Sequence, residues 1–282
     1  MTIRDLKRIE GRWVLLLPIL SFVIGSWYFQ SDRADLKVAL ERARESWRSG
    51  AYDEAIGAYL SLQSRYPNSE FAPDCLWEVA TIYYYNLYDI SNAMHFFERL
   101  ITEYPQSREA LDSHLKLAEI FNLELNELGS AIDHWEQALR GDLDPGTRRE
   151  IEFKVADAHF RSGRFDEAFE EFEKIAASKG ADLHTIEEAR LRMAAILQLR
   201  KDYQGSIDKF QEVLGSNPCA DCRLQAQLGL IESYEFLDRL PEAIETVKNI
   251  SADDYPAERR QELLDRLLAK RKYYEPGLWD GH

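Results

Sequence analysis

A chain of 282 residues that is 45% apolar and 30% charged can bury a large core, which argues against a disordered chain. Its formal charge of −15 repels phosphate backbones and argues against a nucleic-acid partner. Three cysteines, Cys75, Cys219 and Cys222, are too few for a disulfide framework and leave the redox compartment open.

Residues 1–12 form a short leader in which Arg4, Lys7, Arg8 and Arg12 outnumber Asp5 and Glu10. The next stretch, "WVLLLPILSFVIGSWYF" over residues 13–29, carries no charge. As a helix at about 1.5 Å per residue it would span about 25 Å, near the lower limit for crossing a bilayer. Trp13 at one end and Trp27, Tyr28 and Phe29 at the other sit where amphipathic rings favour the interface. Pro18 is a tolerable mid-span kink, and Gly25 offers a small surface. The basic leader places the N-terminus in the cytoplasm, so the span predicts a single-pass inner-membrane anchor with the body in the periplasm. The competing reading is a cleaved signal peptide that releases the body to the periplasm; the bulky aromatic cluster after Gly25 opposes it. No cysteine follows the apolar stretch before Cys75, which disfavours an acylated lipoprotein.

After a linker at 30–35, the chain repeats itself from 36 to 256. A small residue followed four positions later by a large one recurs as Ala55/Tyr59, Ala93/Phe97, Ala131/Trp135, Ala168/Phe172, Ser206/Phe210 and Ala243/Val247, at intervals of 37 or 38 residues. Residues four apart share a helical face, so each pair presents a contact point and a knob. Twelve or thirteen residues upstream lies a second helical pattern with its own small residue: Ala43, Ala80, Ala118, Ala156 and Ala194. Short turns join the two, with Gly50 and Gly163 suited to a helix C-terminus. Pro67, Pro105, Pro218 and Pro256 mark the exits. Repeats two and three depart from the pattern. Tyr88 takes the turn-glycine position, and one extra residue separates Ala80 from Ala93 and Ala118 from Ala131. Residues 257–274 place Leu263, Leu264, Leu267 and Leu268 on one face, as a capping helix should, and 275–282 form an irregular tail.

This pattern resembles the tetratricopeptide repeat, most clearly in "EFKVADAHFRSGRFDEAFEEFEKI" (152–175). The long period and the "YPNS" and "YPQS" exits are similar to repeat proteins of the bacterial cell envelope. Among these are a subunit of the outer-membrane β-barrel assembly machinery, the periplasmic coordinator of the Tol-Pal system, and inner-membrane-anchored repeat proteins near the secretion translocon. The resemblance implies an all-α, TPR-type α-solenoid of about six repeats plus a cap. It also implies a scaffold that binds protein or peptide partners in a concave groove walled by the first helices of the repeats. A chaperone-like or translocon-associated factor that receives exported polypeptides is the alternative. Tyr83, Tyr85 and Asn86, in the aromatic run "WEVATIYYYNLY", are the candidate partner-contacting residues.

The chemistry-bearing residues give little more. Cys219 and Cys222 form "CADC" in an inter-repeat loop without the βαβ context of a thioredoxin motif or the second ligand pair of a zinc site. They are read as a structural pair, or a local disulfide if the body lies outside the cytoplasm. The six histidines show no metal spacing, and no phosphate loop or nucleophile elbow occurs. No enzyme, cofactor, metal or small-molecule substrate is therefore expected; the lipid bilayer, through residues 13–29, and protein partners are.

Overall fold

A computed structural model describes residues 35–274, and every regular element among them is helical. The leader, the anchor with Trp13, Pro18, Gly25, Trp27, Tyr28 and Phe29, nearly all of the linker and the tail lie outside the described residues. The helices in chain order are α1 (35–48), α2 (Tyr52–Arg65), α3 (Ala72–Thr81) and α4 (Ile90–Glu103). They continue with α5 (Arg108–Leu123), α6 (Leu128–Leu139), α7 (Pro145–Arg161), α8 (Phe165–Ala176) and α9 (Leu183–Leu199). The last four are α10 (Tyr203–Gly215), α11 (Ala220–Phe236), α12 (Leu240–Lys248) and α13 (Ala257–Tyr274). Taken in pairs, α1 to α12 give six helix-turn-helix repeats with helices A and B, and α13 is the cap. Among the described residues no helix is long and apolar enough to cross a membrane.

The turn inside each repeat has one backbone rule. Gly50, Tyr88, Asn126, Gly163, Lys201 and Asp238 occupy the same position, and all six have left-handed backbones, with φ of 83°, 55°, 53°, 77°, 63° and 54°. In repeats one, four, five and six the following residue donates its N–H to a carbonyl five residues back, as in Ala51 to Ser46 and Arg164 to His159, both 2.9 Å. In repeats two and three it reaches six back: Asp89 to Tyr83 at 2.9 Å and Glu127 to Phe121 at 2.7 Å. That longer reach absorbs the extra residue seen in the sequence. In repeat two it also widens the end of α3 into a π-helical turn, Ile82–Asn86.

Two compact units divide the chain, the first ending at Ile120 and the second beginning at Phe121. In the first, α3 packs against both α2 and α4, with Tyr59, Leu76, Phe97 and Leu100 fully enclosed. Gln63 is buried there and donates to Glu103 (2.8 Å) and Tyr104 (3.0 Å), a polar tie between α2 and α4. In the second unit each helix from α6 packs on the next in chain order through to α13. Phe172, Met193 and Ile196 centre one core cluster there, and Phe210, Ile231 and Val247 the next, on which Leu267 of α13 closes with 0% exposure. All six small/large pairs named from the sequence are buried, at 0 to 4% exposure.

Gly229 of α11 was not singled out by the pattern, yet a Cβ there would lie 2.1 Å from Cζ of Phe210. The ring of a B helix thus rests directly on the backbone of the next A helix. Gly229→Ala should therefore lower stability by about 2 kcal/mol despite alanine's better helix propensity, measured as a fall in the urea midpoint. Lys201 has the opposite prospect. Its exposed side chain sits on a left-handed backbone that penalises any Cβ, so Lys201→Gly should raise stability by about 1 kcal/mol in the same assay.

Candidate functional site

In the first unit the aromatic run ends in the π-helical turn, and that turn rotates successive side chains away from ordinary helical faces. Tyr83 stacks on Phe96 of α4, with ring centroids 5.5 Å apart, and is half-buried. Asn86 is engaged inside the protein: its Oδ1 accepts from Nε1 of Trp47 at 2.9 Å and its Nδ2 donates to the Tyr52 hydroxyl at 3.4 Å. Its amide therefore ties repeat one to repeat two, a role the sequence reading did not foresee. Tyr85 is 53% exposed. Nζ of Lys116, on α5, lies 5.6 Å from the centre of its ring, and the same ammonium donates to Glu119 at 2.6 Å. Of the three candidates, Tyr85 alone among the described residues combines a large ring with substantial exposure and a neighbouring cation.

In the second unit the structure gathers side chains that sequence spacing kept apart. Cys219 is the N-cap of α11, its Sγ accepting from the Cys222 N–H at 3.2 Å. The two sulfurs are 2.8 Å apart and both thiols are free. Nδ1 of His184, in the first turn of α9, lies 3.6 Å from Sγ of Cys222. Glu187, one turn further and only 1% exposed, accepts from the Ser216 hydroxyl at 2.8 Å. The ligand atoms of His184, Glu187, Cys219 and Cys222 all fall within 4.8 Å of one another. His184, which shows no metal spacing in the sequence, is thus brought to the cysteine pair by the fold. The signal that would have found it is the repeat itself, since His184 and Cys222, 38 residues apart, both lie in the first turn of consecutive A helices. Burial, then the bond to Cys219, push the Cys222 thiol up to about 12, the reverse of what a redox-active CxxC nucleophile needs. Cys75 is fully buried packing, and burial holds its thiol at about 12 as well.

A second buried polar contact joins α7 to α8. Nε2 of His159 lies 3.6 Å from Oε1 of Glu171. Burial, with Glu136 and Glu167 nearby, pushes Glu171 up to about 7 against the pull of Lys174 and Arg164. Burial and Arg164 hold His159 below its ordinary value. The pair is thus a contact between groups that both favour their neutral forms, rather than a firm ion pair. A carboxyl raised by folding contributes stability that is complete below the usual carboxylate range and is lost as pH climbs through about 7. Glu171→Gln should accordingly be more stable than the parent at pH 8 by on the order of 1 kcal/mol and nearly equal to it at pH 4.5, as read from urea unfolding at the two pH values.

Helix pairs of 37 to 38 residues, with small-on-large contacts and a left-handed turn in every repeat, define a tetratricopeptide-type helical repeat protein. Residues 33–178 match the family described as YfiO: Outer membrane lipoprotein. The chain belongs to that family of bacterial envelope proteins. No curated protein matches it significantly. Among solved structures, a chain of the Naa15/Naa10 complex bound to HypK-THB is similar with a TM-score of 0.61 at 17% identity. The match covers 85% of this chain and 36% of that one, so this chain spans about a third of that protein's length, and the likeness is one of fold alone. A tetratricopeptide repeat protein from Parabacteroides merdae ATCC 43184 is 15% identical with a TM-score of 0.48, covering 84% of this chain and 87% of that one. PilW, a type IV pilus biogenesis factor, is 18% identical with a TM-score of 0.46, covering 83% and 98%.

Proposed function

We propose that this protein is a membrane-tethered scaffold of the bacterial envelope that holds protein partners against the A-helix face of its repeats. Residues 13–29 are its inner-membrane anchor, the leader 1–12 stays in the cytoplasm, and the repeat body works in the periplasm. Membership of an outer-membrane lipoprotein family supports the envelope setting. The uncharged, aromatic-flanked stretch at 13–29 takes the anchoring role in this reading. A reaction is not part of this proposal; the partner is a protein, bound as an extended segment or helix in the groove that the A helices wall.

The observation that carries the reading is Tyr85. A half-exposed aromatic ring beside the Lys116 ammonium is the kind of anchor that interfaces use, and the π-helical turn is what turns it outward. Tagged at its C-terminus and captured from detergent-solubilised membranes, the protein should bring down a small set of envelope subunits at near-equal abundance. Tyr85→Ala should weaken that capture about tenfold or more while shifting the thermal midpoint little. A large loss of stability instead would assign Tyr85 to the core. A diffuse set of exported polypeptides would favour the chaperone-like alternative.

A further inference from the structure

We propose that His184, Glu187, Cys219 and Cys222 form a binding site for one divalent metal ion of zinc's class. The donor set comes first. Two sulfurs, an imidazole nitrogen and a carboxylate oxygen are four ligands of the borderline-soft type that zinc prefers, and four is the number a closed tetrahedral site needs. They are supplied as two pairs, His184 with Glu187 and Cys219 with Cys222, each spaced i, i+3 so that both members of a pair share one side of a helix start. The ion would tie the first turn of α9 to the first turn of α11, helix A of repeat five to helix A of repeat six.

The distances agree with that assignment. His184 Nδ1 and Cys222 Sγ are 3.6 Å apart. A tetrahedral ion with bonds of about 2.3 Å to sulfur and about 2.0 Å to nitrogen separates such ligands by about 3.5 Å. The sulfurs, at 2.8 Å, are closer than the roughly 3.8 Å that two thiolates on one zinc require. They are also well beyond the ~2.05 Å of a disulfide. Cys219 is exposed and caps the helix end, so its side chain has room to open that gap. The surroundings are those of a ligand shell. Nε2 of His184 faces Oε1 of Glu188 at 3.6 Å, which leaves Nδ1 turned to the cluster, and Ser216 holds Oε1 of Glu187. A carboxylate kept at 1% exposure is costly unless a charge balances it, and a bound cation would do so.

The chain also supplies its own comparison. The A helices of repeats four and five begin with Asp144 and Asp182, whose carboxylates accept the N–H groups of Gly146 and Thr147, and of Thr185. At the equivalent position repeat six has Cys219, a weaker cap. Capping alone would be better served by aspartate, so the thiol answers to a second requirement, and metal ligation is the one its neighbours satisfy.

The test is a titration of the purified full chain in detergent, stripped with chelator and kept reduced, first with cobalt(II) and then with zinc. One ion per chain should bind, with a thiolate-to-cobalt charge-transfer band and visible bands of four-coordinate intensity, and zinc should displace it. The Cys219→Ser/Cys222→Ser variant should lose the charge-transfer band. His184 is largely exposed, so His184→Ala should fold normally by circular dichroism and bind at least about tenfold more weakly. Glu188→Gln, a positioning residue, should keep the band and lose about tenfold in affinity. Zinc should raise the thermal midpoint of the parent and leave that of the double serine variant unchanged. The proposal is overturned if binding is not saturable at one equivalent, if His184→Ala binds as tightly as the parent, or if the reduced chain takes up neither cobalt nor zinc.

Discussion

The contact on which this architecture depends is the large side chain of a B helix packed among the A helices beside it. A helix pair has apolar surface on two sides and no way to cover both by itself. Phe172 meets Phe153 of its own repeat at 5.4 Å, and Phe210 lies so close to Gly229 of the following repeat that no Cβ fits between them. Phe172 and Phe210 each sit in a core cluster that joins the A helix of their own repeat to the A helix of the next. The small positions on the A helices, Ala43, Ala80, Ala118, Ala156 and Ala194, are all 0% exposed because close approach leaves no room for more. Stability in such a stack is carried between neighbours, and side chains outside the seams are released for other work.

That division explains how much could be read from the sequence. The period, the six small/large pairs, the turn position at Tyr88 and the cap at 257–274 are consequences of packing repeated at fixed intervals, and repetition makes a weak local signal legible. The extra residue in repeats two and three was visible as a spacing, but its outcome was not. Both repeats close with an N–H that reaches six residues back, yet only in repeat two does the insertion become a π-helical turn, a difference settled in three dimensions. Asn86 illustrates the same limit. Its residue type suits a groove as well as a tie, and only the placement of Trp47 and Tyr52 decides between them.

The cysteine cluster was hidden for a different reason. Motif reading looks for ligands near one another in sequence, and "CADC" taken alone has half a set. A repeat protein brings together residues one period apart, so the other half sits in the preceding repeat, at an offset that no short motif contains. In solenoids the relevant neighbourhood of a residue is its equivalents in adjacent repeats as much as its flanking sequence.

Repetition also turns each departure into an internal comparison. Where one backbone position recurs six times with the same left-handed φ, glycine at two of them and lysine or tyrosine at others shows that the fold tolerates strain there without requiring it. Where two N-caps are aspartate and the third is cysteine, the geometry is held constant while the chemistry changes. The same reasoning applies to Tyr85. Trp77 packs against Phe97 and Tyr83 against Phe96, whereas Tyr85, edge-on to Tyr84 and beside the Lys116 ammonium, still leaves 53% of its surface in solvent. Side chains that the repeat does not need, placed where the repeat does not need them, are the positions at which an individual protein departs from its architecture and acquires its own partners.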